Sequence, residues 1–262
     1  MTDFGRFFRF VDGSLVEQTE STGEPQLVAA DSWLVVDGRC RSIDAHFARF
    51  ASWVSSQPGI NSEELDDFFE VVKAAIPKTG RWFPRIEMHS ECSDSGRLFL
   101  RLREAPEQLG EIRLWTYPGK DPRTNPQIKG PDLSLCLQLR RNAIMHGADE
   151  AVLLDDSGFI AEGALSSIVW WRGDVLCAPN AETTWLDSIT RTEIFAIANQ
   201  MGIKTRTELA RPADLVGLEV WALSSLQGIR PASEWVGLGS PLGSITHIES
   251  FQKRLRMLAT QI

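Results

Sequence analysis

Histidine, cysteine and tyrosine are scarce in this chain: four, four and one among 262 residues. His46, His89, His146 and His247 stand apart from one another and from any cysteine pair, so no metal-ligand spacing is present and no metal is expected. Cys40, Cys92, Cys136 and Cys177 lack the close pairs of zinc ribbons and thioredoxin-type sites, and read as buried free thiols. Glycine loops that cradle nucleotide phosphates are missing as well: there is no GxxxxGKS/T and no GxGxxG after a strand. No stretch approaches the roughly 18 uninterrupted apolar residues of a membrane span. The opening MTDFGRFFRFVDG is broken by Asp3, Arg6 and Arg9, with no signal-peptide core, and the expected compartment is the cytoplasm. A formal net charge of −8 repels phosphate backbones and anionic lipid, so neither nucleic acid nor membrane is an expected partner.

What is present suits a globular chain: 43% hydrophobic and 24% charged residues, and a length that fits one large or two modest domains. SWLVVDGRCRSI, starting at Ser32, predicts a hairpin around Asp37 and Gly38, glycine tolerating the positive φ of a tight turn. DAHFARFASWVSS predicts a helix with Asp44 as N-cap, Phe47, Phe50 and Val54 on its apolar side, and a stop at Pro58 and Gly59. Ser62 is placed to cap a second helix with the stripe Leu65, Phe68, Phe69, Val72 and Ile76, ending at Pro77. RLFLRLR puts Leu98, Leu100 and Leu102 on one face and Arg97, Arg101 and Arg103 on the other, predicting a strand with one wet or functional face. YPGKDPRTNPQ, residues 117–127, sustains neither helix nor interior strand; as the domain linker it gives expected domains of 1–120 and 121–262. Beyond it the pattern predicts a helix capped by Asp132 and closed by Gly147, then antiparallel strands around DDSG and around Arg172 and Gly173. A helix from about Thr190 to Gly202 and a strand in GLEVWALSS follow.

Four segments succeed one another after the linker: PQIKGPDL, GADEAVLLDDSGFIAEGALSS, LDSITRTEI and LEVWALSSLQGIRP. In this order and spacing they resemble the class-IV aminotransferase family, which takes in branched-chain aminotransferases, D-amino-acid aminotransferases and aminodeoxychorismate lyases. The resemblance is clear over residues 129–231, weaker over 32–50 and faint between. It implies a fold-type-IV pyridoxal-phosphate enzyme of the α+β class, with a small N-terminal α/β domain and a larger C-terminal pseudo-barrel domain. It also implies a homodimer and a small-molecule amino-acid or 2-oxo-acid substrate.

Carried over position by position, Lys129 matches the lysine that holds pyridoxal 5'-phosphate as a Schiff base, a role that needs a partly neutral primary amine beside a pocket. Glu162 matches the carboxylate that keeps the cofactor's ring nitrogen protonated, and Gly163 beside it permits close approach. SITR supplies a helix N-terminus, where free N–H groups and the macrodipole suit a phosphate; Ile189 and Thr190 match the phosphate-binding positions, and Thr190 also suits an N-cap. Ser225 matches a hydroxyl on the same phosphate, with Ser224 as its neighbouring alternative. In DAHFARF, Arg49 matches the phosphate-binding arginine, whose fork gives bidentate contact. Arg97, Arg101, Arg103 or Arg123 could supply the cation for a substrate carboxylate.

The chain also departs from the family. Asp132, Leu133 and Ser134 stand where Asn or Asn-Tyr is usual, which leaves the cofactor's phenolic oxygen without an assigned partner. Ser166, Ser167 and Ile168 replace a Ser-Asn or Glu-Asn pair, and Tyr117, the single tyrosine, excludes a pocket walled by several. The implied activity is amino-group transfer between an amino acid and a 2-oxo acid. The alternatives are an aminodeoxychorismate lyase releasing pyruvate and 4-aminobenzoate, and a catalytically silent relative, against which the retained Lys129 and Glu162 argue.

Overall fold

The computed structural model describes residues 5–18, 26–58, 60–90 and 96–262; Asp3, Gly59 (the expected helix stop) and Cys92 lie outside them. The chain divides into two compact units, Met1–Glu107 with Ile128–Pro131 and Leu258–Ile262, and Gln108–Gln127 with Asp132–Met257. It leaves the first unit at Glu107, ahead of the polar loop at 117–127, because the intervening strand pairs inside the second unit.

The first unit runs β1 (Arg6–Val11), β2 (Ser14–Gln18), β3 (Leu27–Ser32), β4 (Val35–Val36), β5 (Arg39–Cys40), α1 (Ile43–Val54), α2 (Ser62–Ala75), β6 (Arg81–Trp82), β7 (Arg85–His89) and β8 (Leu98–Leu102). An antiparallel five-stranded sheet has the order β2-β1-β8-β7-β3. Phe47, Phe50 and Val54 of α1 and Leu65, Phe68 and Val72 of α2 share one core with Phe8, Ile86, Leu98 and Leu100 of the sheet. Each such side chain contributes about 1.5–3 kcal/mol by leaving water. The β4–β5 hairpin turns as the sequence predicts, with Asp37 at φ 48° and Gly38 at φ 69°.

The caps fall a residue or two from the expected positions. Ser42, not Asp44, precedes α1, and Asp44 lies in the first turn, where its charge faces the positive end of the dipole. Asn61 caps α2 by accepting from Glu64 N at 2.8 Å, and Ser62 is the first helical residue. On β8 the face expected to be wet or functional is not wet at Arg101. Arg101 is 6% exposed and donates through Nε to Glu87 Oε1 at 3.0 Å, the carboxylate that also receives Arg85 Nε at 2.6 Å. A shared buried carboxylate lets these arginines leave water. Phe99 interrupts the arginine row and stacks on Phe7 across the face.

The second unit holds β9 (Ile112–Thr116), α3 (Leu133–Met145), β10 (Glu150–Leu154), β11 (Ile160–Gly163), β12 (Ser167–Arg172), β13 (Val175–Pro179), α4 (Ile189–Gln200), β14 (Lys204–Glu208), a 3-10 turn at Pro212–Leu215, β15 (Val220–Ser224), β16 (Gly228–Val236) and α5 (Ile248–Met257). Its strands form a mixed eight-stranded sheet, β11-β10-β9-β16-β15-β12-β13-β14, curled as a half-barrel. The local hairpins β10–β11 and β12–β13 are antiparallel as expected, while β9 with β10, β9 with β16 and β13 with β14 are parallel. The β10–β11 turn is an Asx turn: Asp155 Oδ1 accepts from Ser157 N at 2.9 Å and Phe159 N at 2.8 Å. α3 packs Cys136, Leu139 and Ala143 on Ala151 and Leu153 of β10. α4 and α5 cover the other side through Ile194, Ile197, Phe251 and Leu255 against Trp171 and Trp221. β11 is the edge strand of this sheet.

Candidate active site

Glu162 sits near the end of β11, paired with Leu153 of β10. Gly163 follows because no side chain fits: a Cβ there would stand 2.4 Å from Ser166 Oγ and 3.1 Å from Glu150 Cγ. The Glu162 side chain is 7% exposed, and its Oε1 accepts from Arg123 Nη1 at 2.7 Å and from the Leu186 N–H at 3.0 Å. Oε2 receives no hydrogen bond from the described residues. Burial, the largest influence, leaves the Glu162 carboxyl above its ordinary value, with Arg123 and the Leu186 N–H opposing it.

Arg123 belongs to this carboxylate by geometry. Its Nη2 donates to Asp121 Oδ2 at 2.7 Å and its Nε to Asp121 Oδ1 at 3.0 Å, leaving the side chain 4% exposed. Burial favours its neutral form, but the hydrogen bond to Asp121 and the charge of Glu162 outweigh that and hold the guanidinium firmly protonated. On the α3 side, Cys136 is pushed up to about 11, by burial first, and stays a thiol.

The second candidate feature is the start of α4. Ser188, not Thr190, is its N-cap, with Oγ accepting from Arg191 N at 3.3 Å. Ile189 and Thr190 therefore occupy the first helical positions, and their N–H groups donate to no described residue. Thr190 is 2% exposed. The Arg191 guanidinium lies 3.4 Å over the Trp185 ring, which fixes the approach to the helix. Between β15 and β16, Ser224 Oγ accepts from Gln227 N at 3.1 Å and so shapes the turn, with Ser225 half-buried beside it.

In the first unit, Lys129 lies in the Ile128–Pro131 segment, whose backbone is laid flat on β3. The Lys129 carbonyl accepts from Ala30 N at 2.6 Å. Gly130, at φ 141°, has no room for a Cβ, which would meet Ala29 and Ala30 backbone atoms at 2.8 Å. Next along β3, Asp31 is fully buried and collects Arg49 Nε and Nη2 and His46 Nδ1, each at 2.8 Å. Burial alone would raise the Asp31 carboxyl, but Arg49 and His46 hold it well below the usual carboxylate range. His46 is lowered, by burial first and then by the charges of Arg49 and Lys129 against the pull of Asp31. Arg49 and His46 thus share the buried Asp31 carboxylate, with the Lys129 charge felt at His46; sequence reasoning did not single out Asp31, since a lone Asp in AADSW carries no local signal.

The other candidate arginines are engaged elsewhere. Arg97 donates to the His89 carbonyl at 3.0 Å and the Pro58 carbonyl at 2.9 Å. Arg101 belongs to the Glu87 cluster, and Arg103 donates to the Phe83 carbonyl at 3.3 Å. Asp132 precedes α3 but does not cap it with its side chain: it accepts from Thr124 Oγ1 at 3.0 Å and Asn125 N at 2.7 Å, tying the polar loop to the helix. Among the described residues, no cluster of His, Cys, Asp and Glu could hold a metal, and no helix is long and apolar enough to cross a membrane.

The family model described as Amino-transferase class IV matches residues 29–235, and the chain belongs to that family. Its members are pyridoxal-phosphate enzymes, aminotransferases or lyases. Among curated relatives, the aminodeoxychorismate lyase of Bacillus subtilis (strain 168) is 32% identical over 100 residues, covering 37% of this chain and 34% of the lyase. The branched-chain-amino-acid aminotransferase of Escherichia coli (strain K12) is 28% identical over 138 residues, 52% of this chain and 45% of the relative. The matches thus span less than half of either relative's length. A hypothetical aminotransferase from Mycobacterium tuberculosis, in its PLP-bound form, superposes with a TM-score of 0.82 at 16% identity, covering 97% of this chain and 98% of that one. The Escherichia coli branched-chain aminotransferase structure gives 0.76 at 18% identity, over 97% and 92%. The fold is that of the fold-type-IV aminotransferases.

Proposed function

We propose that this chain binds pyridoxal 5'-phosphate and moves an amino group between an amino acid and a 2-oxo acid. The observation that carries the reading is Glu162: a buried carboxylate with Oε1 filled by Arg123 and the Leu186 N–H and Oε2 left for one more donor. The N–H groups of Ile189 and Thr190, without acceptors at the start of α4, suit the phosphate. Arg49 and Ser225 are proposed as phosphate ligands on their sequence match alone, and the Nε–Nη2 edge of Arg49 is held by Asp31. When bound, the cofactor supplies a carbonyl with which an amine condenses and a protonated ring that draws electron density from the substrate's Cα. Lys129 Nζ supplies that amine in the resting enzyme. With an amino donor bound, Lys129 Nζ would be the base that takes the proton from the donor's Cα. Glu162 Oε2 would accept from the cofactor's ring N–H and hold the proton there.

The lyase reading has its own support in the Bacillus subtilis relative. It shares every residue assignment above and differs in the bond that breaks, releasing pyruvate and leaving 4-aminobenzoate. Purified protein loaded with pyridoxal phosphate is expected to be yellow, to bleach on borohydride and to carry the reduced adduct on the peptide containing Lys129. A colourless protein with no adduct would overturn the enzyme assignment. Amino transfer to 2-oxoglutarate without pyruvate release from aminodeoxychorismate is expected; the converse result selects the lyase.

A further inference from the structure

We infer that Arg123 is a positioning residue for the ring-nitrogen site: clamped between Asp121 and Glu162, it fills Oε1 and fixes the carboxylate so that Oε2 alone faces the cofactor. The inference rests on the pyridoxal-phosphate reading and extends it to a residue outside the motifs that carry the family resemblance. The geometry is specific. One guanidinium edge lies on Asp121 through Nε and Nη2, at 3.0 and 2.7 Å, and the remaining nitrogen reaches Glu162 Oε1 at 2.7 Å. Only a planar fork spans two carboxylates this way; a lysine ammonium at the end of a flexible stem does not. With both carboxylates ionised, Asp121, Arg123 and Glu162 together carry one net negative charge, and the nearby Arg191 pairs with Asp187 at 3.8 Å. The trio is complete when a single cation stands at Oε2, which is what a protonated ring nitrogen provides.

Without Arg123, Glu162 would keep its burial and lose its only ion-pair partner among the described residues. A buried carboxylate in that position takes up a proton. It would then donate where it should accept, and the ring nitrogen would lose its proton.

The test uses full-length protein, wild type and the variants Arg123→Met and Arg123→Lys, titrated with pyridoxal phosphate by quenching of tryptophan fluorescence. Ring-15N-labelled cofactor reports protonation of the nitrogen by NMR. In Arg123→Met, cofactor affinity is expected to fall by about tenfold or more and the ring-nitrogen resonance to move to the neutral position, while borohydride still traps Lys129. Arg123→Lys is expected between the two. Unchanged affinity and an unchanged 15N shift in either folded variant overturn the inference, even if melting temperature falls, because a merely structural arginine would move stability alone. If Arg123→Met does not fold, the 15N shift of Arg123→Lys decides. A wild type that takes up no cofactor overturns the pyridoxal-phosphate reading and this inference together, an outcome distinct from variants that bind as wild type does.

Discussion

Two glutamates on neighbouring strands are buried to the same degree and live in different electrostatic worlds: Glu150 of β10 is 4% exposed and Glu162 of β11 is 5% exposed. Glu162 is held by a guanidinium and a backbone N–H. Glu150 has no ion-pair partner among the described residues; its Oε2 accepts from Ser166 Oγ at 3.0 Å and its Oε1 from Ala151 N at 3.2 Å. Its carboxyl is raised to about 7, by burial first, with Arg140 and the hydrogen bonds opposing. Burial alone therefore does not make a functional carboxylate. Burial raises both carboxyls; what differs is the opposition, a guanidinium and a backbone N–H at Glu162 and a hydroxyl and a more distant arginine at Glu150. The comparison breaks first at Glu162→Gln: under the proposed assignment of this carboxylate to the ring nitrogen, its loss is expected to lower the turnover rate on the order of a hundredfold. Glu150→Gln is expected to leave turnover essentially unchanged. Steady-state rates of the two cofactor-loaded variants check this, and equal losses would erase the distinction.

The next effect is on stability and has a definite sign. Unfolded, Glu150 ionises near its ordinary value of 4.5; folded, it keeps its proton to about 7. The folded state binds more protons across that window, so the contribution of Glu150 is fully present below about pH 4.5 and is lost as pH rises through 7. The shift corresponds to on the order of 3 kcal/mol. Denaturant melts at pH 5 and pH 8 are expected to show wild type losing stability relative to Glu150→Gln, and parallel curves for the two proteins would contradict it.

The same contrast explains how much was legible beforehand. The helices α1 and α2, the hairpins β4–β5, β10–β11 and β12–β13, and the ordered motifs from Lys129 to Ser225 were readable, because periodicity, turn residues and motif spacing are local. Asp12 and Gly13, at φ 47° and 75°, show that the β1–β2 turn was equally readable by the rule applied to Asp37 and Gly38. β9 was not, since its partners β10 and β16 lie far along the chain and pair in parallel. The buried ion pairs were illegible for a related reason. Asp31 meets Arg49 from a strand to a helix, Glu87 meets Arg101 across two strands, and Arg123 in a polar loop meets Glu162 39 residues on. A loop arginine is exposed by default, and only the folded chain shows it closed on two carboxylates. Ser188 capping α4 in place of Thr190 is a smaller case: SITR signals a helix start, but which hydroxyl turns back depends on backbone angles that the letters do not carry.

The smallest expected effect tests whether the scaffold glutamate is tuned by its hydroxyl. Ser166 Oγ donates to Glu150 Oε2 and pulls the carboxyl down toward ionisation against burial. Ser166→Ala removes that donor, so Glu150 should hold its proton to still higher pH. The cost is expected to be about 1 kcal/mol where Glu150 would otherwise be ionised. At pH 5 the folded carboxyl is already protonated, and the cost should shrink. In the Glu150→Gln background no charge remains to be stabilised, and the pH dependence of the Ser166→Ala cost should vanish. A double-mutant cycle at pH 5 and pH 8 reads this as an interaction term present only at the higher pH. A term equal at both values would mean that Ser166 supports the β11–β12 turn through its backbone packing, and that Glu150 is set by burial alone.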